Sequence, residues 1–275
     1  MKDIRSSLKT LESLDLRKRC TLSEIVEGME RCSFGARMLG RVVATVVAWV
    51  QQGYTNDACK PLLVYDGDRT SPIAELLSKL GQRLFAGPMS AIEYGRLATS
   101  KPANVLYVDV PHLAVATEAF RQRPQDRVIF INDYGIAKPG QIKDGQFPDA
   151  VFADPAFVIP LLCEVIAERV FQDEPVRIGH FIETAAKYGG DAKLLADGIA
   201  VVREMVEDPD CTVFLTLAGA MTPAKMDLLI FDFLEFARPC WVSSTGALMA
   251  HGLIAGTGLK HYAHDPRFDD KQLAA

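Results

Sequence analysis

Six short runs of almost unbroken apolarity, each bounded by turn residues, constrain this chain more than any other feature. They lie at residues 61–65, 104–108, 127–131, 150–153, 212–217 and 240–244. Each is rich in β-branched or aromatic side chains and too short to be a core helix, as expected of strands buried on both faces. Apolar residues at helical spacing fill most of the intervals, at 73–80, 113–120, 157–170 and 192–206. Strand and helix patterns in alternation predict an α/β fold: a doubly wound, mostly parallel, Rossmann-like sheet of about six strands with helices on both faces. A chain of 275 residues with 49% hydrophobic content can build the core this requires. Ahead of the first strand, Thr21 and Glu24 have capping-box spacing before a helical pattern at 25–29. A second helix, 34–50, carries the stripe Val42, Val43, Val46, Val47 and Val50, suited to a core or a subunit interface. The division expected is a helical segment 1–54 and two α/β halves, 55–171 and 172–275, in one compact domain. The seam falls at 172–177, and the longest surface loop at 136–148.

The fifth and sixth strands end in a distinctive way. Residues 212–217 break into Ala218-Gly219-Ala220-Met221-Thr222-Pro223, and residues 240–244 open onto Thr245-Gly246-Ala247 before an apolar helical run. Turns of Ala, Gly, Ser and Thr at the carboxyl ends of strands let a ligand approach the backbone, and a following helix N-terminus favours anionic groups. Open α/β sheets hold dinucleotides in this way. Ala218, Gly219, Ala220, Ser244, Thr245 and Gly246 are therefore candidate cofactor contacts; the alternative is that they permit close helix–strand packing. Asp66 suits either a ribose hydroxyl contact or a turn cap. Asp154, ahead of Pro155, suits either an N-cap or a cofactor contact. His251 interrupts an apolar helical run, as a general base or as a hydrogen-bonded, partly buried histidine. Trp241 reads as core packing beside the second turn. His261 and His264 are three apart without a third ligand nearby, so no metal site is expected. Six cysteines lack CxxC spacing and read as reduced, mostly buried thiols. A net charge of -5 with no Lys/Arg run excludes a nucleic-acid footprint. A charged N-terminus and the lack of any ~18-residue apolar span predict a soluble cytoplasmic protein without a membrane partner.

The run Val213-Phe214-Leu215-Thr216-Leu217-Ala218-Gly219-Ala220-Met221-Thr222, then Ser243-Ser244-Thr245-Gly246-Ala247, His251 and Leu259-Lys260-His261-Tyr262, resembles the NAD-binding N-terminal half of deoxyhypusine synthases. The likeness covers roughly the last 95 residues. A weaker one, to that family's C-terminal half, runs through Val128-Ile129-Phe130-Ile131-Asn132, Phe152-Ala153-Asp154 and Asp66-Gly67, which places the halves in permuted order. Ser33-Phe34-Gly35-Ala36-Arg37-Met38-Leu39-Gly40-Arg41 also resembles the family's N-terminal helix motif. The resemblance implies NAD as cofactor, a small cationic amine as substrate, and a homotetramer with sites at subunit contacts, or pairing with a paralogous chain. Asp66, Asp109 and Asp133 are the strand-end acids available to position the cation. The family's imine-forming lysine falls on Gln141, which cannot form an imine, so Lys138 and Lys143 stand as candidate nucleophiles. The family's glycine turn is replaced by Tyr107-Val108-Asp109. Alternatives are a catalytically inactive ligand-binding or assembly paralogue, and an ornithine cyclodeaminase-like NAD enzyme, which needs no such lysine.

Overall fold

A computed structural model of the chain describes residues 8–97, 101–109, 118, 121–132 and 149–263, for 149–152 the backbone only. Its centre is a parallel five-stranded sheet of β1 (Leu62–Tyr65), β2 (Ala86–Met89), β3 (Asn104–Val108), β4 (Arg127–Asn132) and β5 (Asp149–Phe152), in the order β2-β1-β3-β4-β5. Successive residues of a strand point to opposite faces, and two cores follow from that alternation. Leu63, Tyr65, Leu106, Val108, Ile129 and Ile131 pack under α1 (Leu22–Met29), α2 (Phe34–Thr55), α3 (Pro72–Arg83) and α5 (Pro155–Phe171). Val64, Val105, Tyr107, Val128 and Phe130 face the other way, against Ala91 and Tyr94 of α4 (Ala91–Gly95). Helices thus cover both faces, as the alternating pattern predicts. The α2 valine stripe is entirely buried and belongs to the first core.

The edge strand β2 is absent from the sequence reading. Its Ala86-Gly87-Pro88-Met89 has poor strand character, and proline is tolerated only because β2 lies at the edge. Gly87 has φ +134°, and a Cβ there would stand 2.5 Å from the Leu63 carbonyl oxygen, so glycine is the residue that fits.

The expectation of one sheet of about six strands needs correcting. Four of the predicted strands join the main sheet, but β6 (Phe214–Leu217) and β7 (Trp241–Ser244) form a separate parallel pair. Their flanking helices are α6 (Ile178–Ala185), α7 (Gly190–Glu207), α8 (Asp227–Ala237) and α9 (Gly246–Gly256). Phe181, Ala185 and Ala192 anchor α6 and α7 in the main core. The pair itself is uncovered: Phe214 is 65% exposed and Trp241 66%, so Trp241 is no core residue. An apolar strand pattern prescribes burial without naming the layer that supplies it, and among the described residues no packed layer covers Phe214 and Trp241. The N-terminal segment fastens this unit. The Ser13 hydroxyl donates to Asp227 at 2.5 Å, Arg17 pairs with Asp232 and Glu235, and Thr10 bridges to Tyr262.

The cysteines are free, but Cys32 alone is fully buried; Cys20 and Cys240 are exposed and the rest half-buried. The thiols sit at element ends more often than the apolar pattern suggests. Among the described residues, no single helix is long and apolar enough to cross a membrane.

Candidate functional site

The pairing of β6 with β7 aligns Leu217 with Ser244, which sets the two small-residue turns side by side at the carboxyl edge of the pair. The Ser244 hydroxyl donates to the Leu217 carbonyl at 3.1 Å and ties the strand ends together. The turns then differ. A Cβ on Gly219 would fall 2.6 Å from Ala247 Cβ and 2.8 Å from Thr245 Oγ1. This glycine lets the single 3-10 turn Gly219–Met221 press against α9, which is the packing alternative. Gly246 has open space, with nothing within 4 Å of its Cβ position. Thr245 occupies the N-cap of α9 with extended backbone, yet its side chain makes no cap bond. The first turn of α9 therefore offers backbone N–H groups unclaimed by a cap, beside a glycine open to approach, a geometry suited to an anionic group.

The remaining candidates do not gather at this edge. Asp66 lies at the carboxyl end of β1 and accepts from the Ala91 amide at 3.0 Å, holding the start of α4. It stands at the β1/β3 boundary, where strand order reverses and doubly wound sheets open a crevice. Asp109 ends β3 across that boundary, in the left-handed conformation at φ +46°. Asp154 accepts from Ala156 N at 2.8 Å and from Asp191 N at 2.7 Å, so one carboxylate caps both α5 and α7. Lys138, Gln141, Lys143, Asp133 and His264 lie outside the described residues.

His251, on α9, faces His261 with ring centroids 6.1 Å apart. Both ring nitrogens of His261 are shielded from solvent, with no hydrogen-bond partner among the described residues. Burial, then the nearby Lys225 and His251, lower its pKa from the ordinary value and favour the neutral ring. A cavity of about 480 Å³ opens between α8 and α9, walled by Ile230, Phe231, Leu248 and Met249, with Asp227 as its one carboxylate among the described residues. The sequence reading missed Asp227; the available signal was an acid opening the helix after the Ala218–Thr222 turn. No group of residues able to hold a metal ion occurs among the described residues.

Parallel strands, helices on both faces of the main sheet, and a small-residue turn opening onto a helix N-terminus define a protein of the Rossmann-like α/β class. The deoxyhypusine synthase family profile matches residues 180–275, and over this segment the chain is similar to that family. It is 35% identical over 94 residues to a probable deoxyhypusine synthase 1 of Methanosarcina acetivorans, a stretch covering 33% of this chain and 30% of the relative. A deoxyhypusine synthase-like protein of Chlorobaculum parvum is 32% identical over 93 residues, 34% of this chain and 27% of the relative. A probable deoxyhypusine synthase 1 of Archaeoglobus fulgidus is 28% identical over 99 residues, 36% of this chain and 33% of the relative. The chain spans about a third or less of the length of the curated relatives it matches. No solved structure matches. The family match begins at residue 180, so the permuted likeness read through 128–154 draws no support from it.

Proposed function

We propose that residues 180–275 form a nucleotide-binding unit of the deoxyhypusine synthase type, which holds NAD and serves oxidation or transfer on a small cationic amine. The observation that carries this reading is the open, uncapped start of α9 beside the Ala218–Ala220 turn, within the matched segment. The residues present fit a dinucleotide in part. Ser244, Thr245 and Gly246 would hold its anionic portion on backbone N–H groups; Gly219 is already occupied by contact with α9 and shapes the turn. When bound, NAD supplies a hydride acceptor for a carbon next to the amine. The α8/α9 cavity suits the amine, because apolar walls take methylenes and Asp227 takes a cation. Asp227 also accepts from Ser13, which fixes the carboxylate.

A second reading, an assembly or ligand-binding module without turnover, is favoured by the exposure of Phe214, Trp241 and Val242 on the strand pair. Parallel strands are ordinarily buried on both faces, so further polypeptide, in a homo-oligomer or from a paralogous chain, would complete the unit. Calorimetric titration with NAD, repeated by tryptophan fluorescence, tests the first reading. The expected result is saturable binding at about micromolar to submillimolar concentration, abolished in Gly246→Trp with the fold intact. The Cβ position at Gly246 is open, with nothing within 4 Å. Lack of binding up to several millimolar NAD, or binding that Gly246→Trp leaves untouched, would transfer support to the assembly reading.

A further inference from the structure

A second cavity, of about 540 Å³, lies at the opposite kind of edge, where the amino ends of β1, β3 and β4 meet. It falls outside the family-matched segment. Leu62, Met89, Leu97 and Ala103 form its apolar floor, all of them half-buried or partly covered residues packed on the second core. Its polar wall carries Lys60, Lys101 and Arg127 together with the amides of Gln52, Asn104 and Gln125 and, among the described residues, no aspartate or glutamate. In a chain of net charge -5 this is a local reversal of sign.

Two described acids stand beside Lys60 and Arg127. Asp126, adjacent in sequence, turns inward and is neutralised by Arg123 at 2.6 Å. Asp57 pairs with Lys60 at 2.9 Å but is 89% exposed, and a surface pair of that kind yields readily to a competing anion. Arg127 is held in place by Trp49, its guanidinium 5.5 Å from the ring centroid. Guanidinium and ammonium groups bind phosphate by charge-assisted hydrogen bonds, and a cavity of this volume admits a nucleotide-sized molecule. We propose that this amino-edge cavity binds a small phosphate ester with an apolar body, of about nucleoside monophosphate size. Its charge sits against Lys60 and Arg127, its flat body lies on the Leu62–Met89–Leu97 floor, and the amides satisfy its polar edge. The site is separate from the start of α9, so the inference does not depend on the NAD reading.

The test is calorimetry with AMP, inorganic pyrophosphate, citrate and uncharged adenosine, at low and at physiological salt, on the whole chain and three variants. AMP is expected to bind saturably in the submillimolar range and more weakly at higher salt, with adenosine and citrate at least tenfold weaker. Lys60→Gln and Arg127→Gln are each expected to weaken AMP about tenfold; Lys60→Gln leaves the Trp49 contact intact, which separates lost charge from lost packing. Because AMP is also one half of NAD, each titration is repeated with Gly246→Trp, which blocks the start of α9, and saturable AMP binding at the amino-edge cavity is expected to persist in that variant. Lack of saturable AMP or pyrophosphate binding up to about 10 mM overturns the proposal. So does AMP affinity unchanged in both charge variants, or lost in Gly246→Trp. Citrate binding as tightly as AMP would reassign the site to polycarboxylates and overturn the phosphate assignment.

Discussion

Asp126 gathers more donors than any other carboxylate described. It accepts from Tyr94 Oη at 2.7 Å, Ala103 N at 2.9 Å and Arg123 Nε at 2.6 Å. Both Arg123 and Asp126 are buried, so the pair stands only because its lone pairs and protons are satisfied together. Burial, and then the bond to Asp126, hold the Tyr94 phenol protonated beyond its ordinary range. Removing one member leaves a buried charge without its counter-ion. Asp126→Ala is therefore expected to destabilise the main sheet by about 3–5 kcal/mol, read as a lower urea midpoint, whereas exposed Glu75→Ala should leave the midpoint almost unchanged. Equal midpoint shifts in the two variants would contradict this account. The sequence shows Arg123 and Asp126 three apart but cannot show that a loop buries them. Asp154 was legible because an Asp-Pro step opening a helix is a local signal, whereas its second cap, on Asp191, requires knowing where α7 docks.

At the scale of elements, local chemistry was again the readable part. The Thr21/Glu24 capping box forms as its spacing predicts, and a second, Ser90/Glu93, opens α4 though it went unread. In both, backbone amides bond the glutamate, chiefly those of Thr21 and Cys20 for Glu24 and of Ser90 for Glu93, and lower its pKa from 4.5. The sign follows directly. The folded state holds the carboxylate more tightly than the unfolded chain, so the unfolded chain binds protons first as the pH drops. The stabilisation is complete above 4.5 and is lost as pH falls below it through the depressed folded value. Thermal midpoints measured from about pH 6 to pH 3 should fall less steeply for Glu24→Gln than for the parent, while Thr21→Ala costs about 1 kcal/mol at neutral pH. Parallel pH curves for Glu24→Gln and the parent would show that the box carries no titrating load.

Across the whole molecule, one strand pattern produced two environments. Residues 104–108 and 214–217 look alike in sequence, yet Val105 to Val108 are wholly buried between helices while Phe214 stands 65% exposed. Apolar alternation records that a strand wants cover on both sides; which strands pair, and whether cover arrives within the same sheet, depends on contacts far apart in the chain. That is why the Rossmann-like class was legible and the split into two sheets was not. The division has a dynamic consequence. Opening free energy rises with buried apolar contact, and the main sheet owns nearly all of it: the two largest core clusters include every central strand and no residue of β6 or β7. Native-state hydrogen exchange on the chain alone should find the amides of β3 and β4 exchanging only through global unfolding, and those of Phe214–Leu217 and Trp241–Ser244 exchanging orders of magnitude faster. NAD bound at the start of α9 should slow exchange in β6 and β7 alone, because binding stabilises only the unit that must be ordered to form the site. Uniform protection of both sheets without ligand would mean that the strand pair shares the main cooperative unit. Its exposed apolar faces would then have to be covered by association of whole chains, which sedimentation at the same concentration would reveal.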